Sequence, residues 1–358
     1  MQVESRLHRS LIAACLGTVL VMAAVPLAAQ VPAPNAERSV PSSSSAPLEA
    51  PRAMPPENPF ALLTTVVRVE AKSAQGADSS RSLGARRSGT GVLIDKSTVL
   101  TIGYLLVEAD ELELVTPNGR RIPASVAAYD PVSGFGLINS ILPLDGQPLE
   151  LGDSDGVAEM QRVITLGHGE GIPTELLVVS RKPFAGSWEY MLDSAIFTFP
   201  PVNNWSGAAL ISADGKLVGI GSLLVNDAAS DRPGVPGNLY VPVNLLKPIL
   251  KDLLATGKRS GPAQPWLGVS TEVIQGNLMV SRVTPGGPAE EAGLMKGDII
   301  VGVGEERVSN QTEFYRNVWK QGAAGVTVPL RVLKSGDVQE VAVKTADRLS
   351  VLRKPQGI

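Results

Sequence analysis

Ser206 is the residue whose surroundings most suggest nucleophilic chemistry. It lies in N-N-W-S-G-A-A-L-I (203–211), and S-A-D-G-K-L-V-G-I-G follows at 212–221. A serine hydroxyl attacks a carbonyl only when a base takes its proton and a carboxylate fixes that base in the right tautomer. Histidine is the usual base because it titrates near neutral pH. The chain has two histidines, His8 near its start and His168 in I-T-L-G-H-G-E-G (164–171). His8 falls in an N-terminal leader, and His168 reads as a loop residue. Lysine is another known base, but Lys182 and Lys216 carry no motif that singles them out. Ser206 also has a plain structural reading. Serine-glycine suits a tight turn, and the hydroxyl can satisfy a local backbone group.

The elements that must position these residues span 358 residues, enough for two or three domains. Residues 1–29 read as a secretory signal. Arg6 and Arg9 give a basic start, Leu11 to Val25 is apolar, and Leu27-Ala28-Ala29 is a small-residue cleavage site. The alternative is an uncleaved leader that anchors the protein in a membrane. Residues 30–59 are rich in Pro, Ser and Ala, and a flexible linker is expected there. Cys15 is the sole cysteine and lies in the leader, so no disulfide or thiolate site is expected beyond it. The net charge of −3 suggests no nucleic-acid partner. With so few histidines and cysteines, neither a metal nor an organic cofactor is expected.

Within a first domain at 60–258, short β-type runs alternate with turn residues from about Phe60 to Val243, among them T-G-V-L-I, E-L-E-L-V, Q-R-V-I-T-L, E-L-L-V-V-S and G-K-L-V-G-I-G. That spacing predicts a mainly β fold, an antiparallel barrel or sandwich. Apolar residues at 245, 246, 249, 250, 253 and 254 predict a helix over Leu245–Ala255, with Pro248 in its first turns. A second module follows at 262–347, with a tail at 348–358. Its strongest signal is V-T-P-G-G-P-A-E-E-A-G-L-M-K-G-D-I-I-V-G-V (283–303). Here Pro288 opens a short helix, Gly293 suits its left-handed cap, and Ile299 to Val303 forms a strand. A helix near Gln311 to Lys320 and two further strands complete the module.

The P-A-x-x-A-G-L-x-x-G-D-x-I pattern resembles that of PDZ domains of the bacterial periplasmic type. The N-N-W-S-G-A-A-L-I segment resembles the serine turn of trypsin-like proteases. Together they resemble the HtrA/Deg family of exported serine proteases and chaperones, over about Phe60 to Lys344. The resemblance implies a trypsin-like double β-barrel followed by an α+β PDZ domain. S-G-T-G-V-L-I-D (88–95) and V-L-T-I-G-Y-L-L (99–106) match two family strands, and the histidine position falls on Tyr104. Y-D-P-V-S-G-F-G-L-I (129–138) places Gly134 at the aspartate position. Only the serine remains, as Ser206. Asn204 stands where the family's glycine supplies an oxyanion-hole N–H, and a positive φ there would strain it by about 1 kcal/mol or more. If the shell is otherwise intact, Tyr104→His with Gly134→Asp is expected to restore some reactivity.

By the same resemblance, Trp266, Leu267, Gly268 and Val269 form the loop that captures a peptide's C-terminal carboxylate. The accepting strand runs over about 270–273, and Phe314 and Val318 either face the peptide's side chains or belong to the core. The leading expectation is an exported, periplasmic pseudoprotease that binds unfolded or C-terminal peptide segments. It would act as chaperone, adaptor or regulator of active relatives. The alternatives are a serine endopeptidase of protein quality control using Ser206, and a scaffold that merely presents the PDZ domain. The family further implies a homotrimer built through aromatic residues before the first strand, where Phe60 is the candidate.

Overall fold

The computed structural model describes residues 59–169 and 172–353. The leader, and the linker up to residue 58, lie outside the described residues, as do residues 354–358 and the side chain of Phe60. After a 3-10 turn at Pro59–Thr65, the first six strands are β1 (Val66–Ser73), β2 (Arg86–Leu93), β3 (Thr98–Ile102), β4 (Ala109–Val115), β5 (Arg121–Tyr129) and β6 (Phe135–Ser140). They close into a barrel in the order β1-β2-β3-β6-β5-β4. A one-turn helix, α1 (Ser80–Leu83), joins β1 to β2. Alternation drives the closure. Along β1, Val67, Val69 and Ala71 are buried, while Arg68 and Glu70 between them keep contact with solvent. Each such fully buried valine contributes about 1.5–3 kcal/mol.

The second barrel comprises β7 (Arg162–Leu166), β8 (Thr174–Gly186), β9 (Tyr190–Phe199), β10 (Ala209–Ile211), β11 (Leu217–Val225) and β12 (Gly237–Pro242), closed in the order β10-β11-β12-β9-β8-β7. One apolar core runs through both barrels, with Leu105 and Leu137 from the first and Leu166 and Ile220 from the second. The closed double barrel decides between the two architectures expected from strand spacing.

The helix expected over 245–255 is shorter. A 3-10 turn at Val243–Leu245 is followed by turns, and α2 spans only Leu250–Thr256 before Gly257 caps it in a left-handed conformation. Pro248 is the physical reason. It has no N–H to give and its ring crowds the carbonyl four residues back, so the helix starts after it.

The second module has β13 (Pro265–Trp266), β14 (Val269–Ile274), β15 (Asn277–Val283), α3 (Pro288–Glu291), β16 (Ile299–Val303), β17 (Glu306–Arg307), α4 (Gln311–Trp319), β18 (Thr327–Lys334), β19 (Asp337–Lys344), β20 (Ala346–Asp347) and α5 (Arg348–Val351). The sheet order is β14-β15-β16-β18-β19, with β17 against β16. Pro288 stands in the first turn of α3 and Ala289 is fully buried beneath it, as the motif predicts. Asn310 caps α4 by accepting from the Glu313 N–H at 3.0 Å.

Both ends of this module return to the barrels. β13 pairs antiparallel with β20, so its two ends lie side by side. Before β13, Arg259 forks onto the buried Asp130 carboxylate at 2.8 and 2.6 Å. After β20, the Arg353 N–H reaches Glu108 Oε1 at 3.1 Å and its guanidinium reaches the Gln75 carbonyl at 3.0 Å. Asp130 is 1% exposed, so Arg259→Ala leaves a buried carboxylate without its cation. The partly exposed arginine tempers the effect, and a loss of about 2 kcal/mol in urea unfolding is the expected outcome.

Candidate functional site

Three turns bring the sequence-singled residues toward one another. Tyr104 sits in the 3-10 turn Gly103–Leu105 that follows β3. Ser206 lies in the turn before β10, and Gly134 in the turn before β6. The Tyr104 carbonyl is held by Arg87, a side chain that sequence reasoning missed. Buried at 7% exposure, Arg87 also donates to the carbonyls of Val107 (2.5 Å) and Gly84 (3.1 Å) and to Ser79 Oγ (2.8 Å).

The Tyr104 hydroxyl lies 2.9 Å from Ser206 Oγ and 3.1 Å from the Ser222 carbonyl oxygen. A phenol has one proton for these two acceptors. When it goes to the carbonyl, which can only accept, the Ser206 hydroxyl donates to the phenol oxygen. Burial pushes the Tyr104 phenol far above its ordinary value, more than the Ser206 hydrogen bond lowers it. It is therefore a neutral phenol and too weak a base to deprotonate Ser206.

Gly207 shows why glycine must follow the serine. Its φ is +74°, and a Cβ there would lie 2.0 Å from the Thr90 carbonyl oxygen. The Ser206 carbonyl in turn accepts from the Thr90 N–H at 2.8 Å, tying this turn to β2. Asn204 is not among the non-glycine residues of positive φ, so the strain anticipated at that position does not arise.

Gly134 has φ +81°, and a Cβ there would meet the Tyr190 hydroxyl oxygen at 2.8 Å and its ring carbons at 3.1 Å. Tyr190 fills this space and donates to the Ser133 carbonyl at 2.8 Å. Asp130, a buried carboxylate in the same turn, is engaged by Arg259, by the Ser133 N–H at 2.9 Å and by the Ser133 hydroxyl. A carboxylate side chain at 134 would therefore have to displace Tyr190.

His168 lies closer to the serine turn than its sequence context suggested. Its N–H donates to Thr90 Oγ1 at 2.9 Å, and Gly167 packs on Asn204. Burial and the Arg68 guanidinium push its imidazole down, against a smaller upward effect of Glu70. Lys182 donates to the carbonyls of Asp227 and Ala229, and Lys216 pairs with Glu150 at 3.4 Å.

The loop Trp266-Leu267-Gly268-Val269 is occupied by the chain itself. The Glu189 carboxylate accepts from the N–H groups of Leu267 (2.8 Å), Gly268 (2.7 Å) and Val269 (3.0 Å). Bonds of this charge-assisted kind contribute about 1.5–3 kcal/mol each. Burial pushes the Glu189 carboxyl up, while the three N–H groups and the Arg348 guanidinium pull it back. Glu189 sits at the tip of the β8–β9 hairpin, whose carbonyl at Ser187 accepts from the Thr271 N–H of β14 at 2.9 Å. Tyr315 of α4 donates to the Gly186 carbonyl at 2.6 Å and accepts from the Glu189 N–H at 3.1 Å. Phe314 and Val318 are both core residues, at 0% and 1% exposure. The helix residue that meets the hairpin tip is Tyr315, which sequence reasoning missed along with Glu189. One signal was present. A three-residue hairpin loop wants glycine or asparagine at its left-handed third position, and here S-W-E ends in Glu189 at φ +55°.

A trypsin-like peptidase domain matches residues 89–220 and a PDZ domain residues 265–345. The serine protease Do-like HtrA of Bacillus subtilis is 24% identical over 288 residues, covering 72% of this chain and 63% of the relative. The probable periplasmic serine protease do/HhoA-like of Haemophilus influenzae is 26% identical over 274 residues, covering 72% and 58%. The chain thus spans about three-fifths of the length of these relatives. The solved serine endoprotease from Yersinia pestis overlays with a TM-score of 0.48 at 21% identity, covering 80% of this chain and 96% of that one. Double barrel and family matches together define a trypsin-like domain followed by a PDZ domain. In that domain combination the chain is similar to HtrA/Deg-like proteins.

Proposed function

We propose that the protein is a pseudoprotease that binds unfolded or C-terminal peptide segments, as a chaperone, an adaptor or a regulator of active relatives. The observation that carries this reading is the 2.9 Å contact between the Tyr104 hydroxyl and Ser206 Oγ, which fills the place a base would need. Losing the base alone costs a serine protease on the order of 10⁶ in kcat. The blocked space at Gly134 supports the same reading. Peptide binding is supported by the loop at 267–269, three N–H groups of which converge on a carboxylate. The relatives named periplasmic support export, and among the described residues no helix is long and apolar enough to cross a membrane.

The test is fluorophosphonate labelling of the purified protein from about pH 6 to about pH 9, beside cleavage of unfolded casein, with Ser206→Ala as control. The expected outcome is silence in both assays at every pH, since the phenol stays protonated throughout. Labelling and cleavage that vanish in the control would establish a serine endopeptidase instead.

A further inference from the structure

We propose that Glu189 is a built-in ligand of the PDZ groove, seated where a peptide's C-terminal carboxylate binds, so that a peptide enters only by displacing the β8–β9 hairpin tip. The inference rests on the peptide-binding reading above and adds how that binding is regulated.

Three independent sets of contacts carry it. The first is the carboxylate itself, held by the consecutive N–H groups of Leu267, Gly268 and Val269. This is the arrangement that captures a chain terminus, filled here by a side chain. The second is main-chain pairing. The Thr271 N–H of β14 donates to the Ser187 carbonyl, the type of bond an added peptide strand would make with the same edge. The third comes from the opposite wall. Tyr315 on α4 grips the hairpin at both Gly186 and Glu189, and Arg316 of the same helix pairs with Asp193 on β9 at 2.9 Å. Strand, loop and helix of the groove therefore all contact one short segment of the barrel.

The hairpin bears a local cost for this. Glu189 holds φ +55°, a region that disfavours side chains other than those of glycine, asparagine and aspartate. A glycine would serve the turn better, so the glutamate is explained by what its carboxylate reaches. Displacement has somewhere to go, because Glu189 also borders a cavity of about 260 Å³ whose wall includes Arg259 and Arg348.

Release would be felt in the barrel. The next residue, Tyr190, is the one packed against Gly134 and bonded to the Ser133 carbonyl. A peptide that lifts Glu189 thus pulls on the turn beside the inactive serine site.

The test uses the full chain, a fluorescein-labelled decapeptide with a free carboxylate on an apolar last residue, and the same peptide amidated at its C-terminus. Glu189→Gly relieves the turn and removes the internal carboxylate, and Glu189→Gln keeps the side chain's shape as a second variant. Expected is a gain in affinity for the free-carboxylate peptide of at least about tenfold in Glu189→Gly, a smaller gain in Glu189→Gln and none for the amide. Hydrogen exchange at the amides of 267–269 should quicken in both variants without peptide. Equal affinity in wild type and variants, or unchanged exchange at these amides, overturns the internal-ligand inference and leaves peptide binding standing. Quickened exchange with no peptide bound by any of the three proteins overturns the peptide reading of the groove, and the regulation with it.

Discussion

Gly134→Asp is expected to destabilise the protein by about 3–5 kcal/mol and to leave Ser206 unreactive, whether alone or combined with Tyr104→His. The backbone at φ +81° disfavours any side chain, and the first added carbon would stand 2.8 Å from a buried tyrosine hydroxyl. The new carboxylate would also join a turn that already buries Asp130. Urea denaturation gives the stability, and fluorophosphonate labelling gives the reactivity. A double variant as stable as wild type and labelled at Ser206 would show that the Tyr190 packing yields easily, and would reopen the enzymatic reading.

A loss of about 3–5 kcal/mol is likewise expected for Arg87→Met, which keeps the side chain's bulk and removes its donors. Four acceptors lose their partner at once, three of them backbone carbonyls, and Glu108 loses a neighbouring cation. The Tyr104 carbonyl is one of the four, so the phenol's hold on Ser206 should loosen as well. Denaturant midpoints measure the first effect. The second predicts broadened NMR signals for residues near 104 under conditions where the variant remains folded. A midpoint shift under about 1 kcal/mol would mean that solvent reaches these carbonyls.

Much of the fold was legible in the sequence because its signals are local. The alternation in β1 and the Pro288 and Gly293 positions around α3 each depend on a few neighbouring residues. The helix after β12 is shorter than its apolar period implies, since six apolar residues in helical period do not outweigh a proline inside them. The serine turn was legible through its motif, and the partner at 104 followed from the same resemblance, although 102 residues separate the two side chains. Family patterns say nothing of what replaces a lost group, so the tyrosine from β9 that fills the space at Gly134 went unseen. The carboxylate in the PDZ loop was hidden for another reason. Glu189 meets partners 78 to 80 residues away, and nothing in S-W-E specifies them beyond an odd residue at a left-handed position.

The antiparallel pairing of β13 with β20, flanked by Arg259 on Asp130 and Arg353 on Glu108, bears on the mechanics of the PDZ module. A body hung from one linker can tumble in three dimensions. One fixed at two adjacent points swings only about the line that joins them, as a door does on its post. Peptide-driven release of Glu189 would then be a single arc. Along it, the groove would turn away from the barrel hairpin and return to it by the same path.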